Sequence, residues 1–575
     1  MTDTAVAGDS MDCDLLVAGS GAAGLAAALT AQRAGLDVLL VEKAAVFGGT
    51  SALSGGGVWV PGNRFSRKAQ QGDSPERALQ YLQSVCGNNL NVPLAKTYLS
   101  HCVEAVEYLE RVSDLRFGPN PIPDYRAELP GGIAGERSLR AARFDGRKAG
   151  DLLPRLRKPL ESTTIFGGMM VSAEDLPDLF SAGRSPRAAL RSLRLLSRHF
   201  LDKLFNQTVT RLANGNALVA ELATAFVQAG GRIWLETPLQ HLLQDQSLIT
   251  GAVVCRNGRN VVINAGHGVV LAGGGAPHGT LRDSYDHVAA GIAHHSLAPV
   301  ENTGDLIAAG QACGAVCNSG LSEPAALTPV SQVPLGRDTC GFPHFFDRSK
   351  PGFIAIDQTG RRFGNEADEY HVFARKMICG TRKGGRMFLI CDHRALRRYG
   401  AGAVPPFPGR LSRWVRNGYL LRGRDLAELA VKMGCPVPTV AETVRDFNAC
   451  AAEGADPAFG RGTSIYNRFI GDALATASNL APLEHAPFYA IELFVGDLGT
   501  FAGLATNENA QVLGADGACI QGLYAIGNDA TSFMGGAYPA AGITLGPALT
   551  FGYVAARHAS GRRAGRRPQT DGANR

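Results

Sequence analysis

The sequence predicts an α/β fold, and three observations carry this prediction. Near the N-terminus, CDLLVAGSGAAGLAAALTAQRAGLDVLLVEK reads as an apolar strand, a glycine turn, a helix and a second strand. Two further glycine-ended strands follow far downstream, in GHGVVLAGGGA (266–276) and GLYAIGNDA (522–530). The chain has 575 residues, of which 45% are hydrophobic, so it can bury more than one core and two domains are expected.

The first strand, turn and helix predict a dinucleotide site. Gly19, Gly21 and Gly24 have the G-x-G-x-x-G spacing, which lets backbone amides at a helix start approach a pyrophosphate. Glu42 ends the second strand, where a carboxylate accepts hydrogen bonds from ribose hydroxyls and disfavours a 2′-phosphate. A membrane span is the weaker interpretation of this apolar stretch, because its glycines fall where a strand must turn into a helix.

Composition and charge exclude several other classes. Net charge is +6, but five arginines follow residue 560, so the tail 561–575 is expected to be disordered and solvated. No aromatic residues interleave with those arginines, which disfavours nucleic-acid binding. The twelve cysteines lack metal-site spacing and are expected to be reduced core residues, with no metal bound. The N-terminus has no secretory pattern, so a cytoplasmic protein is expected.

The loop after Glu42, FGGTSALSGGGVWVPGN, and the remote glycine-ended strands suit the long body of FAD. From Asp14 to about His558 the chain resembles the FAD-dependent fumarate reductase and succinate dehydrogenase flavoprotein superfamily. The resemblance implies a discontinuous, Rossmann-like FAD-binding domain (12–283 and 499–560) and an inserted α+β substrate-capping domain (284–498). FAD is expected to be noncovalent, because the loop lacks the histidine to which some relatives attach it. The predicted FAD contacts are Gly19, Gly21, Ala22, Ala23, Gly24, Glu42, Lys43, Gly49, Thr50, Ser51, Ser54, Gly55, Gly56, Ala272, Gly273, Gly274, Gly527, Asn528, Asp529, Thr544 and Leu545.

The predicted capping domain lacks the cations that dicarboxylate reductases of this superfamily use. Tyr370 stands five residues after Asn365, where those reductases carry a proton-donating arginine, and Pro539 replaces a second arginine. GDLGTFAGLATN also lacks their histidine. A dianionic substrate needs cations to offset its desolvation, so a neutral, largely apolar substrate is expected.

Three tyrosines and one glycine give a closer resemblance. Tyr125 in PDYRAELPGG, Tyr370 in NEADEY, and Tyr538 and Gly542 in GGAYPAAG resemble the catalytic positions of 3-ketosteroid Δ1-dehydrogenases. GGTSALSGGGVWVP, PFYA and LGPALTFGY extend the similarity over nearly the whole chain. The resemblance implies 1,2-desaturation of 3-ketosteroids in steroid degradation, with a quinone or other carrier reoxidising FAD. Many relatives read Y-P-G-P-G at the last motif, and Ala540 here adopts a positive φ less readily than glycine.

The chemistry gives an independent reason for these residue types. Loss of a C2 proton from a 3-ketone is unfavourable unless negative charge can be placed on the carbonyl oxygen. The Tyr538 hydroxyl and the Gly542 N–H would donate to that oxygen. Tyr370 would take the C2 proton, and a hydrogen bond from Tyr125 is expected to lower the Tyr370 pKa from its ordinary value of about 10. The alternative for each tyrosine is a core side chain with a satisfied hydroxyl.

Within a basic helical insert at about 150–210, SPRAALRSLRLLSRHFLDKLF (185–205) predicts an amphipathic helix. Leu190, Leu193, Phe200 and Leu204 recur at near-helical spacing, with Arg187, Arg191, Arg194 and Arg198 on the other side. Two interpretations are open. The helix rests on an anionic membrane surface, or it packs on the core with a solvated basic face.

Other functions also remain open from the sequence. A related enzyme would desaturate C4–C5 or act on another cyclic ketone, and an enoate reductase would run the reaction in reverse. A non-enzymatic alternative is a flavin-loaded electron carrier that docks through the basic helix.

Overall fold

The chain has a mixed α/β fold with several sheets. The computed structural model describes residues 10–69, 72–164, 168–170, 175, 185–206, 209–283, 285–318, 320–381 and 385–561. The strands are β1 (Ser10–Ala18), β2 (Val38–Val41), β3 (Gly57–Trp59), β4 (Phe117–Asn120), β5 (Ser138–Ala141), β6 (Phe144–Asp145), β7 (Arg211–Leu212), β8 (Arg232–Trp234), β9 (Leu239–Asp245), β10 (Leu248–Arg256), β11 (Arg259–Leu271), β12 (His294–Ser296), β13 (Cys317–Asn318), β14 (Ala325–Leu335), β15 (Asp338–Pro343), β16 (Phe353–Asp357), β17 (Met387–Cys391), β18 (Leu421–Gly423), β19 (Phe488–Thr500), β20 (Gly503–Leu504), β21 (Gln511–Leu513) and β22 (Cys519–Ala525). The helices are α1 (Ala22–Arg33), α2 (Gly49–Leu53), α3 (Pro75–Cys86), α4 (Val92–Val112), α5 (Pro186–Asn206), α6 (Asn214–Gln228), α7 (Thr280–Asp283), α8 (Asp286–Ala289), α9 (Asp305–Ala312), α10 (Tyr370–Thr381), α11 (His393–Tyr399), α12 (Ser412–Arg416), α13 (Leu426–Met433), α14 (Val437–Ala452), α15 (Ile465–Ile470) and α16 (Leu545–Gly561).

The first large sheet brings the two ends of the chain together. Its strand order is β21-β22-β10-β11-β1-β2-β8, with β9 paired to β10. The strands β8, β2, β1, β11 and β22 run parallel to their neighbours in this set, whereas β10 and β11 form an antiparallel pair. The parallel arrangement places the ends of β1, β11 and β22 at one edge. The glycine motifs that follow these strands therefore meet there.

Helices α1 and α16 cross closely beside this sheet. Helix α1 is buried from Ala22 to Ala31, as its alanine-rich sequence predicts. A Cβ on Gly552 of α16 would lie 2.7 Å from the Ala23 carbonyl oxygen, so the two backbones are nearly in contact. This crossing fixes the start of α16 relative to the strand ends.

The second large sheet comes from the middle of the chain. Its order is β15-β14-β19-β17-β16, with β12 and β18 also paired to β19. The 13-residue strand β19 links both halves of this sheet and ends at Thr500. Apolar residues from β14, β16, β17 and β19 form a core separate from that of the first sheet. After β19 the chain passes through β20, which pairs with β13, and rejoins the first sheet at β21.

Most of the predicted elements are confirmed. The order β1, α1, β2 matches the predicted strand, turn, helix and strand, and β11, β22, α5 and α16 form where the sequence places them.

All twelve cysteines are free, but Cys379 is exposed and six others are only partly buried, so the expectation that all lie in cores is wrong. None of the described helices is long and apolar enough to cross a membrane. The predicted disordered tail lies, from residue 562 onward, outside the described residues.

Candidate active site

The glycine turn after β1 packs backbone directly against backbone. Gly19 has φ +109°, and a Cβ there would lie 2.1 Å from the Ala272 carbonyl oxygen. A Cβ on Gly24 would lie 2.0 Å from the Gly19 carbonyl oxygen. Gly21 is the N-cap of α1, whose first turn carries no acidic residue. The amide end of this helix is therefore suited to an anion such as a pyrophosphate.

Polar groups around this helix end hold one another in place. The Glu42 carboxylate accepts hydrogen bonds from the Ser20 N–H at 3.1 Å and the Ala44 N–H at 2.9 Å, and also from the Ser20 hydroxyl. The Ser51 hydroxyl accepts from the Ala22 N–H at 3.0 Å. Lys43 forms a 2.6 Å ion pair with Asp305 of α9, so its side chain ties the end of β2 to that helix.

Asp529 joins the ends of β11 and β22. It is buried, and its carboxylate accepts hydrogen bonds from the N–H groups of Gly273 at 2.6 Å and Gly275 at 2.8 Å. Burial raises the pKa of Asp529 to about 6, although the two amides oppose the shift. A cavity beside it reaches the start of α16 and is lined partly by Thr500, Gly527, Asn528, Thr544, Pro547 and Ala548.

The other predicted cofactor residues lie in the same region. Asn302 donates to the Thr50 hydroxyl at 3.1 Å and to the Gly274 carbonyl at 3.2 Å. Gly49 approaches Gly21, and Gly56, at φ +67°, lies against the backbone of Asn214. These small residues and hydroxyls follow β1, β2, β11 and β22 or lie at the start of α16, and Ala23, Ser54, Gly55, Ala272 and Leu545 belong to the same segments. Glycine turns and hydroxyls at strand ends are suited to a dinucleotide such as FAD.

The three predicted catalytic tyrosines form one cluster. The ring centroids of Tyr370 and Tyr538 lie 5.1 Å apart, and the Tyr125 ring lies 5.8 Å from Tyr370 and 6.0 Å from Tyr538. All three side chains are buried, and Tyr370 hydrogen-bonds to both of the others. These residues come from three segments far apart in the sequence. Their convergence favours a shared site over three unrelated core positions.

Each tyrosine is held by backbone contacts on a different element. Tyr370 begins α10, where the preceding Glu369 side chain caps the helix by accepting from the N–H groups of His371 at 2.7 Å and Val372 at 2.9 Å. The Tyr125 N–H donates to the Pro539 carbonyl at 3.0 Å, which fixes Tyr125 beside Tyr538. The Tyr538 hydroxyl hydrogen-bonds to Thr544, just before α16. That bond links the tyrosine cluster to the cavity at the start of α16.

The electrostatics of Tyr370 differ from the expectation. Burial raises its pKa well above the ordinary value, and its hydrogen bonds with Tyr125 and Tyr538 raise the pKa further. The expected lowering of the Tyr370 pKa by Tyr125 is therefore wrong. Here the Tyr370–Tyr125 bond lowers the pKa of Tyr125 instead, against the larger effect of burial. A proton acceptor at Tyr370 needs a further source of stabilisation.

Gly542 occupies a position that only glycine fits. Its φ is +86°, and a Cβ would lie 2.5 Å from the backbone of Gly57 and Val58, so an L side chain has no room. Its carbonyl accepts from the Trp59 N–H at 3.1 Å, whereas no described residue accepts from its own N–H. Ala540 is not among the residues with positive φ, so the turn reaches Gly542 without strain at that alanine.

The comparisons with known proteins agree with this geometry. A protein-family model described as an FAD binding domain matches residues 14–545. The chain belongs to the FAD binding domain family. This FAD-binding chain is 37% identical to the 4-oxocyclohex-2-ene-1-carboxylate 5-dehydrogenase of Sinomonas cyclohexanicum, over 98% of its own length and 97% of the relative's.

Steroid dehydrogenases are also among the relatives of this FAD-binding chain. It is 35% identical to the 3-oxosteroid 1-dehydrogenase of Mycolicibacterium smegmatis, over 94% of its own length and 96% of the relative's. The 3-ketosteroid delta1-dehydrogenase from Sterolibacterium denitrificans, solved with 1,4-androstadiene-3,17-dione, superposes with a TM-score of 0.88 at 33% identity, covering 96% of this chain and 99% of that one. The predicted resemblance, FAD as the cofactor and an oxidoreductase class are thereby confirmed.

Sequence reasoning missed several groups at the tyrosine cluster. Tyr466 is buried with its ring centroid 4.7 Å from that of Tyr125, yet IYNRFI carries no recognisable motif. Burial raises the pKa of Glu369 to about 7 and lowers the pKa of His371 to about 3, so His371 is neutral. A buried cation, Arg348, also lies near Tyr466 and Glu369. Arg348 lies outside the motif positions at which the sequence lacks the cations of dicarboxylate reductases, so it was not found there.

Proposed function

We propose that the chain is an FAD-dependent dehydrogenase that introduces the C1–C2 double bond into 3-ketosteroids. The convergence of Tyr125, Tyr370 and Tyr538, with ring centroids no more than 6.0 Å apart, carries this proposal. The similarity to enzymes named for this reaction supports it. We assign residues 12–283 and 499–560 to a Rossmann-like FAD-binding domain and residues 284–498 to a substrate-capping domain.

The residues of the cluster divide the work of removing a proton next to a ketone. The Tyr538 hydroxyl and the Gly542 N–H donate to the ketone oxygen and stabilise the negative charge that develops there. Tyr370 accepts the C2 proton, and Tyr125 orients its phenol through their hydrogen bond. The substrate loses one proton and one hydride, and its C1–C2 bond becomes double.

We assign FAD to the glycines and hydroxyls at the ends of β1, β2, β11 and β22 and at the start of α16. When bound there, FAD supplies the two-electron acceptor for the C1 hydride. Gly19, Gly21 and Ala22 would face its pyrophosphate, and Glu42 its ribose. The start of α16 would stabilise negative charge on the reduced flavin through its amide end. We infer that attachment is noncovalent and that a quinone or another carrier reoxidises the enzyme.

Anaerobic reduction of the bound flavin tests the proposed reaction. The yellow protein is mixed with 4-androstene-3,17-dione without oxygen, and its absorbance is recorded over time. Bleaching with formation of the 1,4-diene is expected. A flavin-loaded electron carrier would bind no steroid and would stay yellow, which would contradict the proposal.

A second candidate substrate is a small cyclic ketone that carries a carboxylate. The relative with 37% identity is named for such a compound, and the buried Arg348 supplies a cation that the sequence did not predict. The same chemistry at the tyrosine cluster would serve this ring. Parallel bleaching experiments with 4-oxocyclohex-2-ene-1-carboxylate separate the candidates, because only the preferred ketone reduces the flavin at low concentration.

We further propose that α5 rests on an anionic membrane surface. Its residues Leu190, Leu193, Phe200, Leu201 and Leu204 form an apolar stripe and are 52–72% exposed. The packed side of the helix instead contains Ser192 and His199. Arg187, Arg191, Arg194 and Arg198 are also exposed and lie along one edge of the stripe. Apolar area beside a row of cations complements anionic lipid.

Vesicle flotation tests the membrane proposal. The full-length holoprotein should float with anionic vesicles at low salt, and Leu193→Glu with Leu204→Glu should abolish flotation. Val431→Glu is the matched control, because Val431 is 70% exposed on α13, away from this stripe. If the wild-type protein stays in solution with anionic vesicles, the stripe does not bind membranes.

A further inference from the structure

One arginine at the tyrosine cluster is buried without a matching carboxylate. The Arg348 side chain is fully buried. Its Nε donates to the His344 carbonyl at 2.9 Å and its Nη1 to the Glu366 carbonyl, while the guanidinium lies 4.7 Å from the Phe373 ring centroid. Nη2 has no hydrogen-bond partner among the described residues. Burying a cation on neutral partners is costly, so its retention calls for a reason.

The turn that carries Arg348 packs against the helix that carries Tyr466. The Ser349 hydroxyl and the Lys350 ammonium both donate to the Ile470 carbonyl at the end of α15, at 3.0 Å and 2.7 Å. Arg348 has the largest charge effect on Tyr466 and lowers its pKa, against the stronger effect of burial. The guanidinium therefore lies close enough to the Tyr466 phenol for its charge to act on it.

Tyr466 connects this cation to the proposed base. Its ring centroid lies 4.7 Å from that of Tyr125, and the Tyr125 ring in turn lies 5.8 Å from the Tyr370 ring in an edge-to-face arrangement. The sequence of contacts is Arg348, Tyr466, Tyr125 and Tyr370. In a buried, low-dielectric region a positive charge stabilises a phenolate over a longer distance than it does in water.

Three carboxylates also face Arg348, and other groups hold each of them. Asp347 lies 2.7 Å from His344 and accepts from the Gly402 N–H. Asp368 forms a 2.6 Å ion pair with Lys376 of α10. Glu369 caps α10, and burial raises its pKa to about 7. These partners leave the guanidinium without a bidentate carboxylate, so its charge stays available to the phenols.

We propose that Arg348 is a positioning residue that acts through Tyr466 and Tyr125 to stabilise the negative charge on Tyr370 when it serves as the base. This inference rests on the proposed dehydrogenase function. It explains how a phenol in an apolar cluster, whose hydrogen bonds disfavour ionisation, can accept a proton.

The pH profile of kcat/KM tests the inference. A base must be deprotonated, so activity rises with pH up to the pKa that governs it. Arg348→Met should move this acidic limb to higher pH, because loss of a buried positive charge disfavours the phenolate. Arg348→Lys should restore much of the shift. Tyr466→Phe should move the limb in the same direction as Arg348→Met and should not add to it in the double variant.

Arg461 provides the matched control. It is also fully buried, but it forms a 3.0 Å ion pair with Glu366, so Arg461→Met should destabilise the protein without moving the limb. An unmoved limb in both Arg348→Met and Tyr466→Phe would overturn the inference. So would a selective rise of KM for a carboxylate substrate in Arg348→Met with the limb unmoved, since Arg348 would then anchor the substrate. If wild-type flavin is not bleached by any ketone, the proposed function fails instead.

Discussion

The nucleotide end of the first sheet and the tyrosine cluster are built from different parts of the polypeptide. At the nucleotide end, Gly19 and Gly24 bring backbone against backbone, and hypothetical Cβ atoms would lie 2.0–2.1 Å from carbonyl oxygens. At the cluster, the contacts are between large buried side chains from Tyr125, Tyr370 and Tyr538. The nucleotide end depends on glycines that have no Cβ, and the tyrosine cluster depends on phenol hydroxyl groups.

This difference separates two kinds of failure. A substitution at the nucleotide end should act sterically, by displacing backbone and weakening cofactor binding. A substitution that removes one phenolic oxygen changes little volume, so it should leave the fold and the flavin in place and affect only the binding and reaction of the substrate. The following predictions test that separation, from the largest expected effect to the smallest.

Tyr370→Phe should have the largest effect. Loss of the proton acceptor should slow flavin reduction about 10²–10⁴-fold, the usual contribution of a general base, while steroid binding stays close to wild type. Stopped-flow absorbance without oxygen measures the rate, and the spectral shift on steroid binding measures affinity. Tyr489→Phe is the control, because Tyr489 is also buried and hydrogen-bonds to His393 at 3.0 Å, in the second sheet. Equal rates in both variants would remove Tyr370 from the mechanism.

Tyr538→Phe should rank next. One donor to the developing oxyanion is lost, which costs about 10²–10³-fold in enzymes with comparable sites. Because the same hydroxyl holds the ketone in the ground state, steroid affinity should fall as well. A variant that loses rate but keeps full affinity would indicate that Tyr538 does not contact the ketone oxygen.

The tyrosine cluster also shows what the sequence predicted and what it did not. The glycine turn, Glu42 and the three catalytic tyrosine candidates could be predicted from the sequence, because each lies in a local pattern or a family motif. Tyr466 and Arg348 were not, since their roles depend on contacts between α15 and the turn at Asp347–Ser349, which are over a hundred residues apart. The direction of the Tyr370 pKa shift was mispredicted for a related reason. Burial and donor direction are properties of the folded cluster and have no signature in the chain.

Gly24→Ala should weaken FAD binding without a specific effect on the chemical step. The added Cβ must displace the Gly19 carbonyl, and overpacking of this kind typically costs about 1–3 kcal/mol. Fluorescence of released flavin during dilution measures the loss. Gly118→Ala should retain flavin, because a Cβ at Gly118 meets no atom within 4 Å. Protein that keeps its flavin as firmly as wild type would argue against close backbone packing at Gly24.

Glu369→Gln should have the smallest effect, which is on how Tm depends on pH. Burial raises the folded-state pKa of Glu369 from 4.5 to about 7, so its contribution to stability is full at pH values below about 4.5 and is lost as the pH rises through about 7. The wild-type Tm should therefore fall from about pH 5 to about pH 8, and the variant should show a shallower fall. Parallel curves would show that Glu369 does not titrate in this range.

The position of label loss tests the central claim most directly. Wild-type holoprotein is given a 3-ketosteroid deuterated at C1 and C2, and the product is analysed by mass spectrometry. The account predicts loss of one deuterium from each carbon, because the proton leaves C2 and the hydride leaves C1. A desaturated product that retains both labels would contradict it.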